Sequence, residues 1–154
     1  MNTFVADSKA KVHILHMGPQ EDVLEQINVF IKKENIKNGV IISGIGSLSK
    51  VSFHAVSNTV FPPKDEFYVF EDAPTELCSA CGIIADYVPH IHMALSISKG
   101  KGNFDTFVAH IEPGCKVFCL AEFAIMELEN VEMQRIKDAD NINQLTGKYL
   151  GTET

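Results

Sequence analysis

Apolar residues recur along this chain with two different periods. From Gln20 to Glu34 they fall at Val23, Leu24, Ile27, Phe30 and Ile31, the 3.6-residue spacing of an amphipathic helix. Glu21 and Asp22 stand where that helix would begin, a place that favours carboxylates, and Asn38-Gly39 closes the region. Elsewhere the pattern is shorter and strand-like. Lys11–Met17, Gly39–Ile45, Lys50–Val56, Lys64–Phe70, Thr75–Ala85, His90–Ser98, Val108–Ile111, Cys115–Leu128, Val131–Ile136 and Thr146–Leu150 read as strands or short strand-like pieces between turn residues. Gly44-Ile45-Gly46-Ser47 reads as a tight turn and Lys99–Asn103 as a flexible loop. The sum predicts an α+β domain: a largely antiparallel β-sheet of seven to eight strands with one main α-helix. The domain is expected to span residues 9–150, with flexible ends at 1–8 and 151–154.

Composition narrows the class. At 154 residues, with 45% hydrophobic and 21% charged side chains, the chain fits one domain with a real core. The longest apolar run, Val117–Met126, is broken by Glu122 and is too short to span a bilayer. Met1–Asp7 lacks a basic region followed by an apolar block, so no signal peptide is predicted and a cytoplasmic protein is expected. The net charge is -7, and Arg135 is the one arginine. Non-specific DNA affinity comes mainly from basic contacts to phosphate, so tight DNA binding by the domain itself is disfavoured.

Cys78-Ser79-Ala80-Cys81 spells a C-x-x-C pair. It lies in a strand pattern rather than at the start of a helix, and odd spacing in a strand sends the two thiols to opposite faces. Cys115 and Cys119 share a face of a strand but sit about 13 Å apart along it, too far for a disulfide. All four are expected to be reduced thiols serving as small core residues. The glycines at 44 and 46 lack the third glycine and following helix of a dinucleotide loop. The Gly/Lys loop at 99–103 has no helix start behind it to present amides to phosphate.

The segment from Pro89 to Glu122 carries the candidate chemistry. His90 and His92 are two apart in a strand pattern, so they project from one face about 6.6 Å apart. Two such imidazoles can hold one metal ion, and His110 can return across the intervening loop as a third ligand. Three protein ligands with one open position is the usual plan of a catalytic zinc site. The alternative is that these are ordinary histidines on the polar face of a half-buried strand. His13 and His16, three apart in the first strand, should face opposite ways.

Five pieces in order resemble the plant- and prokaryote-conserved (PPC) domain. They are Gly44–Val51, the Glu76 strand ending in Gly82, Pro89–Ser96, His110-Ile111 and Glu122–Ile125. The resemblance covers about residues 9–150. It implies a compact α+β domain that assembles as a homotrimer. In plants the domain follows an AT-hook that binds the minor groove, and the domain itself mediates association with protein partners. Stand-alone prokaryotic members are often labelled DNA-binding or regulatory. The fold is also similar to that of acetolactate decarboxylase, whose metal is held by an H-x-H pair and a third histidine downstream. His90, His92 and His110 fall on that pattern, which implies a divalent transition metal, zinc in first place.

Two departures stand out. Val108 and Ala109 occupy positions before the third histidine where the family commonly has two glycines. Pro74-Thr75 stands where the plant motif begins with Arg-Phe, so the plant partner surface does not carry over. The chain contains no Arg-Gly-Arg core of a hook. Two functions are therefore expected as alternatives: a trimeric association module, or a metal-dependent, decarboxylase- or lyase-like enzyme on a small carboxylic or keto acid. In the second, Glu122 and Glu76 are the candidate acid/base residues.

Overall fold

The computed structural model describes residues 3–7 and 11–151. Within them, nine strands and one α-helix occur in the order β1 (Val12–Met17), α1 (Val23–Lys33), β2 (Gly39–Val56), β3 (Asp65–Phe70), β4 (Thr75–Ala85), β5 (Val88–Gly100), β6 (Asn103–Ile111), β7 (Lys116–Glu127), β8 (Val131–Lys137) and β9 (Asn143–Tyr149). The α+β reading holds, with one helix and antiparallel pairing throughout.

Seven strands form one sheet in the order β1-β7-β2-β4-β5-β6, with β3 pairing β2. Strand β2 is 18 residues long and does two jobs. Its first half pairs β4 and β7. Its second half pairs β3, and also β6 through Phe53↔Ile111 and His54↔His110. The sheet thus curls until β6 meets β2, closing β2-β4-β5-β6 on itself. Side chains alternate across a strand, so Leu77, Ile91, Met93, Leu95 and Ile111 fill the core while the residues between them face out.

The tight turn expected at Gly44–Ser47 is instead continuous strand. Gly44 lies so close to the Phe123 ring that a β-carbon there would come within 2.7 Å of Cδ1. These glycines allow close approach across strands, and the chain bends at register shifts rather than reversing. The expected loop at 99–103 also shrinks. Strands run to Gly100 and resume at Asn103, leaving Lys101 and Gly102 with φ of 54° and 78°, the two-residue hairpin geometry that suits a twisted pair.

Helix α1 begins at Asp22, whose carboxylate accepts from the Glu25 amide at 3.1 Å and from the Gly114 amide at 2.8 Å. Val23, Ile27 and Ile31 are buried against the sheet. The β8–β9 hairpin forms a second, two-stranded sheet, with Val131 and Met133 buried in a small cluster joined by Phe4 and Ala6. Asp7 exchanges backbone hydrogen bonds with Glu129 at 3.1 and 2.9 Å. Residues 1, 2, 8–10 and 152–154 lie outside the described residues. No helix among the described residues is long and apolar enough to cross a membrane.

The cysteines need correction. All four are free, but Cys78, Cys81 and Cys119 are exposed and only Cys115 is buried. A bulge between Leu77 and Ser79 resets the alternation, so Cys78 and Cys81 are both exposed rather than split between core and solvent. Register irregularity between β2 and the start of β7 likewise separates buried Cys115 from exposed Cys119.

Candidate metal centre

Cross-strand register builds the site. His92 on β5 lies opposite His110 on β6, and His110 lies opposite His54 on β2. These pairings place three histidines in a row across three neighbouring strands, on the outward face. Phe67 of β3 extends the row on one side and Cys81 of β4 on the other. His90 sits two residues from His92 on the same face. Its placement depends on Gly82, because a β-carbon there would overlap the His90 carbonyl oxygen.

His90, His92 and His110 each offer a ring nitrogen, and these atoms all lie within 4.8 Å of one another. The Nε2 atoms of His90 and His92 are 3.2 Å apart. Tetrahedral coordination with Zn–N bonds near 2.05 Å requires ligand nitrogens about 3.3 Å apart, so this edge already has the span of a metal-binding edge. The rings of His90 and His110 are 4.9 Å apart centre to centre and those of His92 and His110 5.4 Å.

The protonation states also suit ligation. Burial, with the neighbouring histidines, pushes the His110 ring down from 6.5 to about 4. Burial first, then Arg135 and the other imidazoles, lowers His90. Metal ligation uses neutral imidazole, and the site's own geometry supplies it. The residues present therefore fit a divalent ion.

His54 and Glu112 form the other wall. His54 Nδ1 and Glu112 Oε1 are 2.6 Å apart, and His54 stacks on His110 with centroids 4.5 Å apart. His54, His110 and Glu112 are themselves close enough to hold an ion. In sequence His54 is one more residue of the Lys50–Val56 strand pattern, with no local feature that gives it a role. Its signal was the β2–β6 pairing, which joins residues 56 apart and leaves no local periodicity. Clefts open on both flanks of His110. One of about 280 Å³ is lined by His54, His92 and His110 with Val56 and Val108. The other, of about 340 Å³, is lined by His54, His90, His110, Arg135, Asn143, Val88 and Pro89.

The two candidate carboxylates are not brought to this centre within one protomer. Glu76 pairs with Ser96, four residues along β5 from His92, or about 13 Å at the rise of a strand. Glu122 lies on β7, with β2 and β4 between it and β5, about 14 Å at the usual strand spacing. It faces His16, with Oε1 and Nδ1 3.6 Å apart and both side chains at least half exposed. His13 is buried beside Glu127 at 3.4 Å, so His13 and His16 do face opposite ways.

Solved structures share this fold. A protein from Salmonella enterica superposes with a TM-score of 0.77 at 22% identity, over 93% of this chain and 96% of its own. A metal-containing protein from Archaeoglobus fulgidus gives 0.73 at 21%, over 92% and 95%. A plant- and prokaryote-conserved protein from Pyrococcus horikoshii gives 0.71 at 22%, over 100% and 99%. Structures from Bacteroides thetaiotaomicron and Ralstonia eutropha are named as candidate DNA-binding proteins. Among curated proteins, the bifunctional protein GlmU of a Synechococcus strain is 23% identical over 128 residues, 83% of this chain. The chain spans about a fifth of the length of the GlmU relatives it matches. Residues 5–129 match the Plants and Prokaryotes Conserved (PCC) domain, and with that span and this fold the chain belongs to the PCC domain family, also written PPC.

Proposed function

We propose that this chain is a PCC-domain association module that assembles as a homotrimer and holds one divalent transition metal, zinc in first place, on His90, His92 and His110 of each subunit. The observation that carries the metal reading is the convergence of three ring nitrogens, with one pair at 3.2 Å. The related fold of a metal-containing protein supports it. Exposed apolar side chains support association: Ile14 (69%), Ile45 (49%) and Leu120 (41%) lie on the outer face of β1, β2 and β7. Contiguous exposed apolar surface is typical of protein–protein contacts. The DNA-binding role in the names of two neighbours would, in this chain, act through a partner, since a chain of net charge -7 with one arginine has little to offer phosphate.

Metal analysis of purified protein tests the first half, with one ion per subunit expected in the parent and none in His92→Ala. Light scattering tests the second, with a mass about three times the 17.0 kDa chain expected. A monomer at micromolar concentration overturns it. A duplex DNA complex tighter than micromolar, steep in salt, would overturn the indirect role.

A second reading, a metal-dependent enzyme on a small carboxylic or keto acid, is favoured by the clefts flanking His110. A bound divalent ion would polarise a carbonyl there. His54, held by Glu112, stands within the same clefts as the nearest group able to accept a proton, whereas Glu76 and Glu122 would need a neighbouring subunit to bring them close. Turnover of a panel of small keto acids by the loaded trimer, lost in His92→Ala, separates this reading from pure association.

A further inference from the structure

Arg135 is the sole arginine in the chain and stands beside the histidine centre rather than out on the surface. It projects from β8 onto the ends of β4 and β5. Its Nη1 donates to the Val88 carbonyl and its Nη2 to the Ile83 carbonyl, both at 3.2 Å. Val88 lies two residues before His90 on β5 and Ile83 is His90's partner on β4, so the guanidinium is fixed relative to the His90 backbone. Among the described residues no carboxylate pairs with it, in a chain that carries twenty acidic side chains. A guanidinium has five N–H donors, and two are engaged, leaving three for a ligand.

The cleft of about 340 Å³ joins this group to the histidines. His90, His110 and His54 form one wall, while Arg135 and Asn143 form the other. The volume suits a small metabolite, and the lining combines a cation with an amide. Arginine meets carboxylate through two parallel N–H···O bonds, a geometry lysine cannot reproduce. Imidazole is neutral when it ligates a metal, so a divalent ion on the histidines would favour an anionic group at that end of the cleft, as the guanidinium does at the other. None of the residues lining it is an acid.

We infer that Arg135 and Asn143 form an anion subsite of the histidine centre, which takes the carboxylate of a small organic acid with its other end directed at His90 and His110. The inference rests on the metal reading above for the identity of the far end only; the carboxylate subsite itself is built from β8, β9 and the strand ends. It assigns the β8–β9 hairpin a task, that of placing one cation and one amide over the cleft.

The experiment is calorimetric titration of zinc-loaded and metal-free protein with pyruvate, with methyl pyruvate as the uncharged control and inorganic phosphate as the competing anion. Pyruvate should bind the loaded protein, and at least tenfold more weakly the metal-free protein. Arg135→Ala should weaken pyruvate binding at least tenfold while the metal content stays at one per subunit. Arg135→Lys should recover only part of that loss. Asn143→Ala, at an exposed position away from the strand-end carbonyls, should weaken binding severalfold and serves if Arg135→Ala fails to fold. Equal affinity in the folded Arg135 and Asn143 variants, or equal binding of the methyl ester, overturns the subsite. Tighter binding of phosphate than of pyruvate overturns the carboxylate assignment. Loss of metal with retained pyruvate binding sensitive to Arg135 would sink the metal reading and leave this one standing.

Discussion

The chain carries two close pairs of histidines on strands, and they end in opposite circumstances. His13 and His16 on β1 each find a carboxylate: Glu127 at 3.4 Å and Glu122 at 3.6 Å. His13 is buried, edge-on to Phe30 with centroids 5.7 Å apart, and His16 is on the surface. His90 and His92 on β5 find each other and His110, with no carboxylate between them. Spacing begins the difference, since three residues along a strand split two side chains and two residues keep them together. The cross-strand neighbour completes it. β7 places Ile125 opposite His13 and Glu122 opposite His16, while β6 places another imidazole opposite His92. On β1 each histidine is paired with an acid, whereas the three imidazoles that converge at β5 and β6 are the donors the proposed metal would use.

The largest effect expected from that contrast is on metal content. His92→Ala or His110→Ala should take bound metal from the proposed one ion per subunit to none, by elemental analysis, while circular dichroism and the mass in solution stay unchanged. His16→Ala should leave metal content as it was, and loss of metal in that variant would erase the distinction between the pairs. Thermal melts should follow the same split. Free zinc at a thousandfold over its dissociation constant stabilises a folded site by about 4 kcal/mol, so chelation should lower the midpoint of the parent and of His16→Ala but not of His92→Ala.

The pH dependence sharpens it further. His110 lies at about 4 and His90 below its ordinary value, both chiefly through burial. Both rings are therefore neutral and free to ligate above pH 6.5. Protons compete for them only as pH falls from 6.5 towards about 4, so loading should be full at neutral pH and lost across that window, read by a zinc-sensitive dye. The same direction applies to folding without metal: the unfolded chain binds more protons there, so stability is lost as pH falls from about 6.5 towards about 4 and rises as pH rises through that window. Loading unchanged well below the His110 value of about 4 would contradict a histidine site.

Gly82→Ala tests the support of the β5 pair. The new methyl would overlap the His90 carbonyl and lie 3.1 Å from Ile91 Cα. Overpacking of this kind costs about 1–3 kcal/mol, and zinc affinity should fall with it because His90 must shift. Metal affinity unchanged beside a lowered melting point would show that His90 adjusts freely. The smallest expected effect concerns the thiols. Cys115 is buried, its thiol is pushed up to about 11 by burial, and its sulfur accepts a hydrogen bond from the Ser52 amide and donates one to the Ser52 carbonyl. It should resist alkylation in the native protein, while exposed Cys81, next to His92 in the row, should react and be slowed by bound zinc.

Much of this could be read from local pattern. The helix over Gln20–Glu34 became Val23–Lys33 because apolar spacing and the Asp22 cap are properties of neighbouring residues. The β4 and β5 strands were legible for the same reason, and with them the common face of His90 and His92. The misreadings at Gly44–Ser47 and Lys99–Asn103 came from glycine, which signals a turn in sequence but here allows close strand contact in one case and a two-residue hairpin in the other. The thiols were misplaced by bulges, which change the phase of a strand without any residue-level signature.

The sequence by itself determined which histidines make up the proposed ligand set, the one-face placement of its first two members and the scarcity of basic side chains. Only the tertiary structure decided that His110 stands opposite His92, that His54 and Glu112 close the far side, and that Arg135 overlooks the cleft while Glu76 and Glu122 do not. The physical reason is register. Side-chain direction follows from local backbone geometry, but which residues stand opposite one another follows from how a curled sheet closes, and that closure is fixed by packing of the whole core.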